Sequence, residues 1–108
     1  MKEYNVLLSL KANDDMDDIY TYIAETLLAP DTAAKQYDRI ADAILSLEIM
    51  PMRISLMPSE PEHSRGVRAM YVDNYTVFFV VKPDTVYIMR VLYSASDISG
   101  KLLDGEHT

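Results

Sequence analysis

The sequence predicts an α+β fold, an antiparallel sheet with an N-terminal helical hairpin packed on one face. Three observations predict it. Two stretches between residues 16 and 47 repeat apolar residues at steps of three and four. Three strand-length runs rich in Val, Ile, Phe and Tyr follow one another closely between residues 66 and 93. A proline-rich segment separates the two halves. At 108 residues the chain has length for one modest core, so a single domain over residues 1–108 is expected. Each helix offers one apolar stripe, and the sheet is the sizeable surface available to cover both.

Glu3 to Leu10 mixes Tyr4, Val6, Leu7 and Leu8 with polar neighbours in a short run and suits a first strand. Asn13, Asp14, Asp15, Asp17 and Asp18 then suit the positive end of a helix, as a side-chain cap and solvated carboxylates. Met16, Ile19, Tyr20, Ile23 and Leu27 give that helix its apolar face, ending near Leu28. Ala29-Pro30-Asp31 breaks the pattern, with Asp31 placed to cap a second helix whose stripe is Ala33, Tyr37, Ile40, Ala41, Ile44 and Leu47. Pro51 stops it. A connection this short makes the helices antiparallel. Met50 to Ser64 carries three prolines and no period, so it reads as a long loop.

Gly66–Val72, Tyr75–Val81 and Thr85–Tyr93 are the remaining strands, a meander joined by very short turns. Asp73-Asn74 suits the first turn because both residues tolerate the left-handed backbone, and Pro83-Asp84 suits the second because proline fixes φ. Ser94 to Asp104, with Ile98, Leu102 and Leu103, adds a short C-terminal element. The order is β-α-α-β-β-β.

Composition narrows the chemistry. With no cysteine there is no disulfide, thiolate metal site or thiol nucleophile. His63 lies in the proline-rich loop and His107 in a polar tail, neither with a partner at ligand spacing, so no metal or other cofactor is expected. No signal-like start and no apolar run of membrane-spanning length is present, which makes the cytoplasm the expected compartment and excludes a membrane partner. The net charge of −7 gives no long-range attraction to nucleic acid, so sequence-specific DNA binding by this chain alone is not expected. The first 50 residues hold 4 basic and 10 acidic groups and the rest 6 and 7, which places any anion site in the second half.

The phrases "DDIYTYIAETLLAPDTAAKQYDRIADAILSLEIMP", "RGVRAMYVDNYTVFFVV" and "VYIMRVLYSASDISGKLL" together resemble the RelE/ParE superfamily, in the branch of plasmid stabilisation toxins. The resemblance covers most of residues 14 to 103. It implies the toxin of a bacterial type II toxin-antitoxin pair, which arrests growth when free and is neutralised by a cognate antitoxin. In nuclease members, basic residues on the second and third sheet strands and after the last strand act on mRNA at the ribosome. The matching positions here are Ala69, Tyr71, Thr76 and, in place of a histidine-arginine pair, Tyr93-Ser94. A register one residue different brings Arg68 into the first of them. RNA cleavage needs cations beside the phosphate and groups that move a proton, and this chain offers few.

Arg65, Arg68 and Arg90 are the strand-associated arginines, and the competing structural role for each is an ion pair with a carboxylate such as Glu62, Asp73 or Asp97. Tyr71, Tyr75, Tyr87 and Tyr93 offer hydroxyls and stacking faces, although strand tyrosines ordinarily pack. Tyr93 stands out because it ends the last strand at the family's histidine position. Asp97 suits a base or, more ordinarily, a helix cap. The candidate catalytic set is therefore Arg68, Arg90, Tyr93 and Asp97. The seven methionines suit irregular core space. Three functional readings stand: a toxin that acts by binding a cellular target such as DNA gyrase, a ribosome-dependent mRNA endoribonuclease, and a non-toxic antitoxin-binding module.

Overall fold

The computed structural model describes residues 1–96 and 101–102. Strand β1 (Asn5–Leu8) leads into helix α1 (Leu10–Thr21), which widens into a π-helical turn over Tyr22–Thr26. Helix α2 (Pro30–Leu45) follows, then a 3₁₀ turn at Ser46–Glu48 and another at Pro51–Arg53. Strands β2 (Arg68–Val72), β3 (Tyr75–Val81) and β4 (Thr85–Tyr93) complete the described fold.

The hairpin packs on one face of the sheet, as its apolar stripes require. Ala12 and Met16 of α1 and Ile40 and Ile44 of α2 share a core with Met70, Val77, Phe79, Val86, Ile88 and Val91 from the sheet. The helices also meet edge to face through Tyr20 and Tyr37, ring centres 6.4 Å apart. The opposite face is covered as well. Val67, Phe78, Met89 and Leu92 are buried there beneath Leu102, with Met57 of the long loop packed against them.

The sheet order is β1-β4-β3-β2, and it is mixed, not antiparallel throughout. The meander β2-β3-β4 is antiparallel, but β1 lies parallel to β4, with Asn5 beside Thr85 and Leu8 beside Ile88. The cause is topological: α1 continues in the direction of β1 along β4, from Ser9 at Ile88 to Asp15 at Val91, α2 returns from the Asp73 turn to the Glu3–Ile49 bridge, and β2 turns once more, so two reversals leave β1 and β2 running the same way. The alternation of apolar residues carries no record of strand direction.

Helix α1 starts one turn earlier than its carboxylates suggest. Ser9, not Asn13, is the N-cap: its Oγ accepts from Ala12 N at 2.9 Å and donates to the Met89 carbonyl at 2.8 Å. The aspartates therefore fall beyond the first turn, and Asp15 is buried. Asp31 likewise sits inside the first turn of α2, because Pro30 occupies the initial helical position, where its missing N–H costs nothing. In the first hairpin turn the left-handed residue is Asp73, φ 54°. Met16, Met70 and Met89 fill core space as expected, whereas Met1, Met50 and Met52 are exposed.

Candidate functional site

Strand β1 pairs β4 only as far as Ile88, where Ser9 N takes the Ile88 carbonyl at 2.9 Å and the chain turns into α1. The last third of β4 is therefore edged by a helix. Asp15 fills the gap in the ladder, its Oδ2 accepting from the Val91 N–H at 3.0 Å. Both carboxylate oxygens also take the Arg90 guanidinium, Nε at 2.7 Å and Nη2 at 2.8 Å. The two side chains keep only 9% and 12% of their surface exposed. A β-bulge puts Arg90 there: Phe78 pairs Arg90 and Phe79 pairs Ile88, so Met89 is an extra residue on β4 and Val91 inherits the helix-facing position.

Beside this pair, where β3 begins and β4 ends, lies a cleft of about 610 Å³. Tyr75 and Tyr93, paired across the strands, form an edge-to-face contact with ring centres 6.0 Å apart. Tyr22, Ile19 and Leu27 come from the helical hairpin, and Asp18 lies on the α1 side. No lysine or arginine lines it among the described residues. Burial pushes the Tyr75 phenol above its ordinary pKa, and the nearby phenols of Tyr93 and Tyr22 act in the same direction. Tyr75 is thus a neutral hydrogen-bonding group at physiological pH.

The described candidates, Arg68, Arg90 and Tyr93, do not gather into one site. Arg68 shares a cross-strand row with Phe79 and Ile88, while Tyr93 shares one with Tyr75 and Val72, about 13 Å away along the strands. Arg68 Nη1 donates to the Ile54 carbonyl at 2.6 Å, holding the long loop against β2. Arg90 donates to Asp15 and to the Lys101 carbonyl, the latter at 2.8 Å. Tyr93 alone is at the cleft, with half its surface exposed. Asp97 lies outside the described residues, as do Ile98, Leu103 and His107.

Two residues at the expected basic positions, Thr76 and Ser94, bond to each other, hydroxyl to hydroxyl at 2.7 Å, and Thr76 is buried. Tyr71 is exposed on the edge strand β2, and Tyr87, half-buried, packs against the core of the far face. Two of the carboxylates weighed as partners of the strand arginines lie in the described residues. Asp73 takes a bidentate bond from Arg39 on α2, at 2.7 and 2.8 Å, and Glu62 accepts from Ser59 Oγ at 2.7 Å.

Sequence reasoning placed Leu27 on the apolar stripe of α1, took Asp15 for a solvated carboxylate and passed over Tyr22. A signal existed for Tyr22, an aromatic residue outside the stripe of Met16, Ile19, Tyr20, Ile23 and Leu27.

Residues 6–98 match the family described as the ParE toxin of the type II toxin-antitoxin system parDE. The chain belongs to the ParE toxin family. Its fold is similar to that of a chain from the chromosomal ParDE toxin-antitoxin system of P. aeruginosa, at 26% identity and TM-score 0.69, over 82% of this chain and 94% of that one. It also shares its fold with a chain of the toxin-antitoxin complex RelBE2 from Mycobacterium tuberculosis, at 20% identity and TM-score 0.61, over 89% and 97%. No curated protein matches it. The toxin is thus an α+β member of the RelE/ParE superfamily, and no helix among its described residues is long and apolar enough to cross a membrane.

Proposed function

We propose that this toxin arrests growth by binding a protein target, a type II topoisomerase such as DNA gyrase, and not by cutting RNA, and that a cognate antitoxin neutralises it in the cytoplasm. The observation that carries the reading is the disposition of its arginines. Arg90 is spent on the buried Asp15, Arg68 on a loop carbonyl, and the cleft beside Tyr93 is lined by aromatic, apolar and acidic groups. A developing charge on a scissile phosphate would meet no guanidinium there, and loss of one such donor typically costs ~3 kcal/mol, about a hundredfold in rate.

The test is expression of the chain alone in bacteria, following growth, plasmid supercoiling and transcript ends together. Growth arrest with altered supercoiling and intact transcripts is the expected result. Discrete cuts within codons on translating ribosomes, abolished by Arg68→Ala or Tyr93→Phe, would establish the endoribonuclease instead. Unimpaired growth, with antitoxin still bound, would identify a non-toxic antitoxin-binding module.

A further inference from the structure

We propose that the tip of the helical hairpin, Leu27 and Leu28 with Tyr22 at their base, anchors the antitoxin, and that the segment it receives carries apolar side chains flanked by lysine or arginine. The proposal rests on the toxin-antitoxin reading above and names the surface and its complement.

The backbone provides the first observation. The chain leaves the π turn through Leu28 in the left-handed region, φ 55°, closed by bonds from Leu27 N to the Tyr22 carbonyl and from Ala29 N to the Ile23 carbonyl, both 3.1 Å. Glycine usually holds this position after a helix, because a Cβ there strains the backbone. Leu28 accepts the strain and gives the fold nothing in return, since its side chain is 81% exposed.

Surface provides the second, independent observation. Leu27 and Tyr22 are each more than half exposed, and both line the cleft that ends at Tyr93. Strain and exposed apolar area both cost the free protein, and the apolar cost is recovered by burial against another chain.

Charge then selects the occupant. The charged residues lining the cleft are Asp15, neutralised by Arg90, and Asp18, exposed to solvent. The chain as a whole carries −7. A second copy would set Asp18 and its own surplus carboxylates against the same groups, whereas a basic amphipathic segment meets them with opposite charge.

The experiment measures affinity of the full-length toxin for the purified product of the adjacent antitoxin gene by calorimetry, with melting temperature measured on the same samples. Leu28→Gly is expected to melt higher, by about 5 °C, and to bind at least tenfold more weakly. Asp18→Asn is expected to weaken binding and to flatten its dependence on salt. Met52→Ser, at another exposed apolar residue, is expected to bind as wild type does. A Leu28→Gly toxin that binds the antitoxin undiminished would overturn the anchor while leaving the toxin-antitoxin reading intact. A wild-type toxin that binds no antitoxin would sink both, and a toxin that dimerises through this tip in sedimentation would overturn the choice of occupant.

Discussion

On a helix with four aspartates, Asp15 alone is buried, and the reason is the strand edge it covers. It replaces a missing strand at the Val91 N–H and neutralises Arg90, so three donors converge on two oxygens. Removing one partner of such a pair leaves the other charged and desolvated, a loss of about 3–5 kcal/mol. Asp15→Ala is therefore expected to lower stability by about that amount in denaturant titrations, while the double change Asp15→Leu with Arg90→Met recovers most of it. A loss below ~1 kcal/mol would show that the pair is solvated. Ser9 works at the same corner. Ser9→Ala deletes both the helix cap and the donor to the Met89 carbonyl, and should cost about 1–2 kcal/mol, read from the same titrations. A cost near zero would mean that water replaces both bonds. Neither role was legible in the sequence, because Asp15 and Arg90 are 75 positions apart and their meeting depends on the bulge at Met89.

At the scale of elements, the β2–β3 turn is clamped to α2 by Arg39 and Gln36, both of which donate to Asp73. Hydrogen bonds from Arg39, then from Gln36, hold the Asp73 carboxyl below its ordinary pKa. A depressed folded-state pKa gives stability that is present above the unfolded value of about 3.9 and lost as pH falls through the folded one. Asp73→Asn removes the charge but tolerates the left-handed backbone, so its melting temperature should lie below wild type at neutral pH and converge with it in acid, once pH has fallen through the depressed folded-state pKa. A gap that persists in acid would assign the effect to the turn and not to the clamp. The turn residues made β3 and β4 legible to their last residue, because a strand ends where its chemistry changes. The start of α1 was misplaced because clustered aspartates resemble a first turn, while Ser9, the true cap, follows an apolar run. Strand direction left no local trace, and β1 became parallel through the 59-residue connection, residues 9–67, that leads to β2.

For the whole molecule the governing quantity is charge. A net −7 on 108 residues sets up a negative field that repels RNA and draws in basic segments, and such steering changes association rates by roughly 10- to 1,000-fold. That field is screened by salt, with a Debye length of about 10 Å at 0.1 M, whereas the proposed burial of Leu27 and Tyr22 against the antitoxin is not. The two contributions are therefore separable by kinetics. Association of the toxin with its antitoxin, followed by stopped flow, should slow at least tenfold between about 0.02 and 0.5 M salt, while the dissociation rate changes far less. Structured or single-stranded RNA under the same low-salt conditions should show no binding, since no phosphate is neutralised and no counterions are released. An association rate indifferent to salt would mean that the partner presents no basic face to this surface, and a rate that rises with salt would mean that it is acidic. Salt-sensitive binding of RNA by the isolated chain would point the opposite way, to a cationic surface strong enough to override the net charge, and would favour the endoribonuclease over the topoisomerase-binding toxin.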